Sequence, residues 1–294
     1  QALFYATILP FLVFFSLFAL VFYPAKDALH PTTAADSLQS ILPAGLGGLV
    51  AIFRNWTYAV FYVLAELWGS VMLSLVFWGF ANDITRVSEA KRFYALFGIG
   101  ANLALLVSGP AIVWVSDIRR LLPPEVDAWG VSINYLMTMV VIAGLVVMAT
   151  YWWINKNVLT DARFFNPEEI KGPKKSKPKM SIVESFKYLA KSKYIGCIAI
   201  LVIAYGISIN LVEVTWKNQL KLQYPNANDY STFMGYFSFF TGLVTVFMML
   251  FVGGNVIRKF GWGTAALITP VVLLITGVGF FMFVLFRDNL SGFV

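Results

Sequence analysis

Two carboxylates, Glu66 and Glu213, stand in stretches of this chain that are otherwise strongly apolar. An ionised group inside a membrane-spanning helix costs several kcal/mol by most scales, so each is a functional hypothesis in its own right. Neither stands alone. Tyr58, Tyr62, Glu66, Ser70 and Ser74 recur every four residues, which on an α-helix draws a slowly rotating polar stripe along one wall. Gly206, Asn210, Glu213 and Lys217 follow the spacing i, i+4, i+7, i+11 and fall within about 60° of one another at ~100° per residue. Stripes of this kind line water or a polar solute rather than lipid. A third group, Gly98, Asn102 and Gly109, shares a helical face just before Pro110. There the planar amide of Asn102 offers donor and acceptor to a ligand such as a base edge. Each has a structural alternative: a Glu213–Lys217 ion pair one turn apart, a protonated or hydrogen-bonded packing acid at Glu66, and close helix approach at the glycines.

The elements that must position these residues are long apolar helices. Of the 294 residues, 59% are hydrophobic and 13% charged, and the mean hydropathy is +0.74. A soluble domain carries about a quarter charged residues, so a water-soluble globule, a disordered chain and a collagen-like chain are excluded. Spanning a bilayer takes about 20 apolar residues. Charge-free runs at 1–25, 93–116, 128–155, 194–212, 230–257 and 260–286 meet that need, and 55–80 meets it around Glu66. Their continuous apolarity predicts helices, not the alternating ten-residue strands of a barrel. No run reads as a signal peptide, and both ends read as cut from something longer.

Fifteen of the 22 Lys and Arg residues fall in 81–92, 156–193 and 254–261, which the positive-inside rule places in the cytoplasm. The net charge of +7 is thus a topology signal, with no soluble basic groove to bind nucleic acid. Residues 156–193 form the long cytoplasmic connection, with a Pro-broken basic core from Lys171 to Lys179. Ser181 and Glu184 are spaced as a capping box, and Ile182, Phe186 and Leu189 with Lys187, Lys191 and Lys193 predict a short amphipathic helix for the lipid interface. The domain expectation is therefore 1–155 as part of an N-terminal half with four spans, 156–193 as linker, and 194–294 as part of a C-terminal half with three. Cys197 is read as a small packing residue, and His30, the one histidine, as a solvated loop residue.

Polar stripes inside a polytopic α-helical protein point to a transporter. A channel needs charged rings or a carbonyl filter, and neither is present. An embedded enzyme needs a nucleophile, metal ligands or a general-base pair, which one His and one Cys scarcely supply. No cofactor, metal or obligate protein partner is implied. A non-transporting structural or receptor-like protein is the alternative of a different class, and it should tolerate Glu66→Gln and Glu213→Gln.

Longer strings carry more. Arg54-Asn55-Trp56-Thr57, Phe61 through Val71 around Ala65-Glu66-Leu67-Trp68-Gly69, Phe77-Trp78-Gly79-Phe80-Ala81-Asn82, Glu89 to Tyr94, Gly98 to Asn102, Ala204 to Lys217 and Phe233-Met234-Gly235 closely resemble the ATP/ADP translocases of plastids and obligate intracellular bacteria. Leu159 to Phe164 and Gly253 to Arg258 look most like the chlamydial members. The resemblance covers essentially the whole chain. It implies a twelve-helix, major-facilitator-like bundle of which about seven helices are present, in a bacterial inner membrane or, failing that, a plastid inner envelope. It also implies antiport of internal ADP, with phosphate, for external ATP by alternating access. In the family the glutamates matching Glu66 and Glu213 are regarded as needed for transport, and the asparagine matching Asn102 is linked to nucleotide and phosphate handling. Polyphosphate needs Lys or Arg, and the cations these helices supply lie near their ends, Arg54 and Lys217. The rings of Trp68, Trp216, Tyr62 and Tyr205 are candidates to stack an adenine, against a packing or interface-belt role. Pro110 departs from an arginine usual in close relatives. Other members of the family move NAD, GTP or other nucleotides by proton-coupled uptake, which is the alternative within the class.

Overall fold

The computed structural model describes residues 2–161 and 191–286, with Ser181, Glu184, Lys187 and Asn289 besides. Every element among them is helical, and seven helices are long and apolar enough to cross a membrane: Ala2–Phe22, Trp56–Ile84, Arg92–Leu121, Ala128–Val158, Lys193–Gln223, Ala227–Gly253 and Gly263–Leu285. These are the seven expected runs. The fifth span outlasts its apolar run by about three turns, because Glu213 and Lys217 pair within the helix at 2.6 Å and so continue it. Other ends follow local chemistry. The Asp127 carboxylate accepts from the Gly130 N–H at 3.0 Å to start the fourth span, and Asn226 Oδ1 caps the sixth by accepting from the N–H groups of Asn228 and Asp229. Gly261, at φ 80°, breaks the chain direction before the seventh, a conformation that costs a glycine little.

The sequence reading missed the π-helical turns at Phe18–Phe22, Val71–Phe77, Ile154–Val158 and Met248–Gly253. Each widens the helix locally, as single π-turns do in many functional helices, and one of them carries Ser74, the last member of the second-span stripe.

Contacts divide the chain into two units, residues 1–97 with 110–174, and residues 98–109 with 175–294. The grouping of 98–109 with the later helices differs from a division at the linker alone.

In the first unit the first span packs along the fourth. A Cβ at Gly144 would lie 2.4 Å from Leu12 Cδ2, and the rings of Phe4 and Tyr151 stack at 3.6 Å. Phe18, Ala19, Tyr23 and Ile133 form the buried core, covered by Phe14, Phe22, Tyr58, Phe61, Trp129 and Met137. The connection from the first to the second span is itself folded, with the helices Thr32–Ile41 and Gly47–Arg54 packed through the buried Ala35 and Val50. Three contacts pin it to the start of the second span: Trp56 Nε1 donates to the Leu29 carbonyl at 2.8 Å, His30 Nε2 meets Thr57 Oγ1 at 2.6 Å, and the His30 ring meets Tyr58 edge-on at 4.8 Å. His30 is thus half-buried and bonded, not solvated, because the folded connection brings it back over Thr57.

In the second unit, residues 98–109 pack antiparallel to the sixth span through glycines. A Cβ at Gly109 would lie 2.6 Å from the Gly235 carbonyl, one at Gly242 2.7 Å from Leu105 Cβ, and one at Gly98 2.9 Å from Met249 Cε. Small residues let helix backbones approach closely where no water drives their association. Cys197 is exposed on the fifth span, so it does not serve the packing role expected of it. Its neighbours Ile200, Leu201, Val202 and Ile203 are exposed as well. The Ser181–Glu184 capping box is formed, with Ser181 N–H donating to Glu184 Oε2 at 2.8 Å and Glu184 N–H donating to Ser181 Oγ at 3.2 Å. Most of the amphipathic helix expected after it, and the basic core of the linker, lie outside the described residues.

Candidate functional site

The second span sorts its side chains by face. Trp68 meets Phe11 and Phe15 of the first span edge-on, at 5.6 and 5.8 Å between centroids. Two residues away, and so about 200° round the helix, Glu66 is exposed together with Tyr62, Ser70 and Ser74. The stripe therefore stays out of the packing that holds the span, except for Tyr58, which joins the core. Arg54, just ahead of this span, is committed to the connection between the first and second spans: its Nη2 donates to Asp36 Oδ1 at 2.5 Å and to Gln39 Oε1 at 3.3 Å.

In the second unit Asn102 lies against the π-helical turn of the sixth span. Its Nδ2 donates to the Gly98 carbonyl at 2.9 Å and reaches Met249 Sδ at 3.7 Å. On the fifth span Asn210 Nδ2 donates to the Gly206 carbonyl at 2.8 Å, one turn before the Glu213–Lys217 pair. That pair keeps its ammonium and carboxylate partly exposed, at 32% and 42% of their side-chain surface. Trp216 packs on Phe237 with centroids 4.8 Å apart, whereas Tyr205 is exposed. The structure thus brings Glu66, Tyr62, Trp68 and Arg54 into the first unit, and Asn102, Tyr205, Asn210, Glu213, Trp216 and Lys217 into the second.

Sequence reasoning missed one cluster outright. At the C-terminal end of the first span, Tyr23 Oη donates to Asp127 Oδ2 at 3.0 Å, and Lys26 Nζ donates to the same oxygen at 3.0 Å and to Tyr23 Oη at 3.3 Å. Burial works against the Asp127 charge, but the Gly130 N–H, Lys26 and Tyr23 outweigh it and hold the carboxyl below its ordinary range. The bond to Asp127 in turn holds Lys26 protonated well above the usual ammonium range, against a smaller effect of burial, and burial pushes the Tyr23 hydroxyl up. Asp127 and Lys26 are 101 residues apart, and no local spacing signals such a pair. Missed too was Met249, whose role comes from the helix opposite Asn102. Among the described residues, no group of three or more His, Cys, Asp or Glu could hold a metal ion.

These elements have counterparts in known proteins. The model of the family described as "TLC ATP/ADP transporter" matches residues 1–294. The chain is 68% identical to ADP,ATP carrier protein 1 of Chlamydia pneumoniae over 295 residues, covering 100% of this chain and 57% of that protein. It is 51% identical to the chloroplastic ADP,ATP carrier protein 1 of Arabidopsis thaliana, covering 97% and 45%, and 45% identical to ADP,ATP carrier protein 1 of Rickettsia bellii, covering 99% and 57%. The chain thus spans about half the length of these relatives. No solved structure matches it. With seven apolar helices long enough to cross the bilayer and a family match over its full length, the chain is a multi-pass membrane protein and belongs to the TLC ATP/ADP transporter family.

Proposed function

We propose that the full-length protein exchanges external ATP for internal ADP, with phosphate, across a bacterial cell membrane. The observation that carries this reading is identity of 68% and 64%, over the whole of this chain, to ADP,ATP carrier proteins of two Chlamydia species. The placement of the polar residues supports it. Glu66, Tyr62, Asn210 and Glu213 lie on helix faces left out of core packing, and Asn102 sits against a π-turn whose wider backbone is readily reshaped. A carboxylate accepts hydrogen bonds but donates none, so Glu66 and Glu213 serve the adenine amino group, the ribose hydroxyls or a neighbouring cation, and not the phosphates. Lys217 meets the phosphates when a nucleotide competes for it with Glu213. Trp68 is a packing residue in this reading, and Arg54 stabilises the external connection.

Exchange follows by alternating access, two helical halves rocking about a central site. An empty carrier would have to enclose Glu66 without a ligand's hydrogen bonds, and an uncompensated buried charge is costly. Bound nucleotide removes that cost on either side of the membrane, so the loaded carrier reorients and the empty one does not.

The test is uptake of labelled ATP into intact cells expressing the full-length protein, with and without internal ADP. Uptake is expected to require internal ADP, and Glu66→Gln is expected to lower it at least tenfold with the protein still present in the membrane. ATP uptake indifferent to ADP but driven by a proton gradient would replace exchange by symport, with Glu66 as the proton carrier.

A further inference from the structure

At the end of the fifth span that charge bias assigns to the outside, the helix carries a groove of about 290 Å³ lined by Trp216, Gln219, Leu220, Leu222 and Gln223. Trp216, Gln219, Leu220 and Gln223 stand at i, i+3, i+4 and i+7 and so share one side of the helix, with the two glutamines one turn apart. Phe237 backs the Trp216 ring at 4.8 Å and holds it in place. Leu220 is buried beneath the groove. Neither glutamine amide has a hydrogen-bond partner among the described residues, so each offers two N–H donors and a carbonyl acceptor to whatever enters.

An aromatic plate, an apolar floor and two free amides suit a flat heteroaromatic ring with donors and acceptors on its edge. That is the chemistry of a purine base, which stacks on Trp and pairs with a Gln amide. The volume is at the small end for ligand pockets, about 300 to 1,000 Å³, enough for a base with its sugar but not for a polyphosphate as well. Glu213 stands one turn before Trp216, and six and ten residues before the two glutamines, about 9 and 15 Å along the helix at 1.5 Å per residue, so a base whose edge pairs with the glutamines lies on the far side of the Trp216 ring from that carboxylate.

We propose that this groove is a docking site where the base of an incoming purine nucleotide lodges before the nucleotide reaches the residues around Glu213. The inference rests on the nucleotide-carrier reading above and adds a site to it. Selection among nucleotides then begins outside the transport path, through the two amides at the base edge.

The experiment is photolabelling of intact cells expressing the full-length protein with external 8-azido-ATP, followed by peptide mapping. Label is expected on the peptide carrying residues 216–223, and excess ATP should remove it. Trp216→Ala is expected to reduce that label and to raise the external KM for ATP about tenfold, the size of one lost base stack, while Trp216→Phe stays within about twofold of the parent. Gln219→Leu combined with Gln223→Leu, which leaves the ring in place, should bring ATP and GTP to nearly equal potency as competitors. Label confined to other peptides, with KM unchanged in Trp216→Ala, would overturn the docking site and leave the carrier reading standing. No label anywhere, together with no ADP-dependent uptake, would overturn both.

Discussion

Asp127 accepts three donors, from Tyr23, Lys26 and the Gly130 backbone, and so fastens the exit of the first span to the entry of the fourth. Its folded pKa lies below the unfolded value, so its contribution to stability is present above about pH 4 and is lost as pH falls through the folded pKa. Lys26 is shifted the other way. Its contribution is complete below the usual ammonium range, about pH 10, and is lost only as pH rises through its still higher folded value. The fastening therefore holds across the neutral range and fails first in acid. Because the Asp127 side chain is 51% exposed, solvent screens the pair, and Asp127→Asn should cost about 1 kcal/mol. Thermal unfolding of purified full-length protein should show that gap at pH 7 and its disappearance at the acid end, and an equal gap at both pH values would refute the assignment. Glu213 and Lys217 are different in kind, since both sit inside a span where a lone charge is expensive. Lys217→Gln should therefore slow exchange more than the loss of an ordinary surface ion pair would, and Glu213→Gln in the same chain should restore part of the lost protein level on membrane immunoblots.

At the scale of elements, the decisive contact is the antiparallel pairing of residues 98–109 with the sixth span. A methyl group added at Gly109 meets the Gly235 carbonyl at 2.6 Å and the Phe239 backbone nitrogen at 2.9 Å, and a backbone cannot swing aside as a side-chain tip can. Gly109→Ala should therefore force the two helices apart and cost about 1 to 3 kcal/mol. Gly100 and Gly277 have nothing within 4 Å of such a methyl group, and alanine there should be neutral or slightly stabilising through its better helix propensity. Melting temperatures of the three variants decide the matter, and equal values would mean that the glycines do not bring the helices together. The same pairing places Met249 beside Gly98. Gly98→Cys with Met249→Cys, in a chain whose Cys197 is replaced by serine, should be joined by a short thiol crosslinker, whereas Gly100→Cys with Met249→Cys should join far less.

For the whole molecule, charge distribution sets how the helices lie across the bilayer. With fifteen of 22 cations in 81–92, 156–193 and 254–261, a cysteine placed at Ser176 should react with an impermeant thiol reagent only after the membrane is opened. One placed at Gln39, in the external connection, should react in intact cells. Reaction at Ser176 alone from outside would invert the topology, and with it the direction of the exchange proposed above. The seven spans were legible because bilayer thickness imposes a length and an apolarity that a linear sequence displays directly. The Ser181–Glu184 cap was legible because its partners are three residues apart. The polar stripes were legible for the same reason, since helical periodicity alone puts Tyr62 with Glu66 and Asn210 with Glu213.

Beyond one helix, the sequence is silent in identifiable places. Nothing local distinguishes Trp68, packed edge-on against Phe11 and Phe15, from Trp216, which lines a groove; both are tryptophans in apolar runs. His30 reads as a loop residue until the folded connection returns it to Thr57. The partners of Asp127 and Asn102 lie 101 and 147 residues away. The sequence by itself determined the seven spans, the charge bias between their connections and the faces on which polar residues fall, all consequences of local periodicity and of the bilayer as solvent. Tertiary structure alone decided which glycines bring helices into contact, where the helices widen into π-turns, and which aromatic rings and amides remain free to meet a ligand. These depend on packing between distant segments, where a shift of a single methyl group changes which atoms meet.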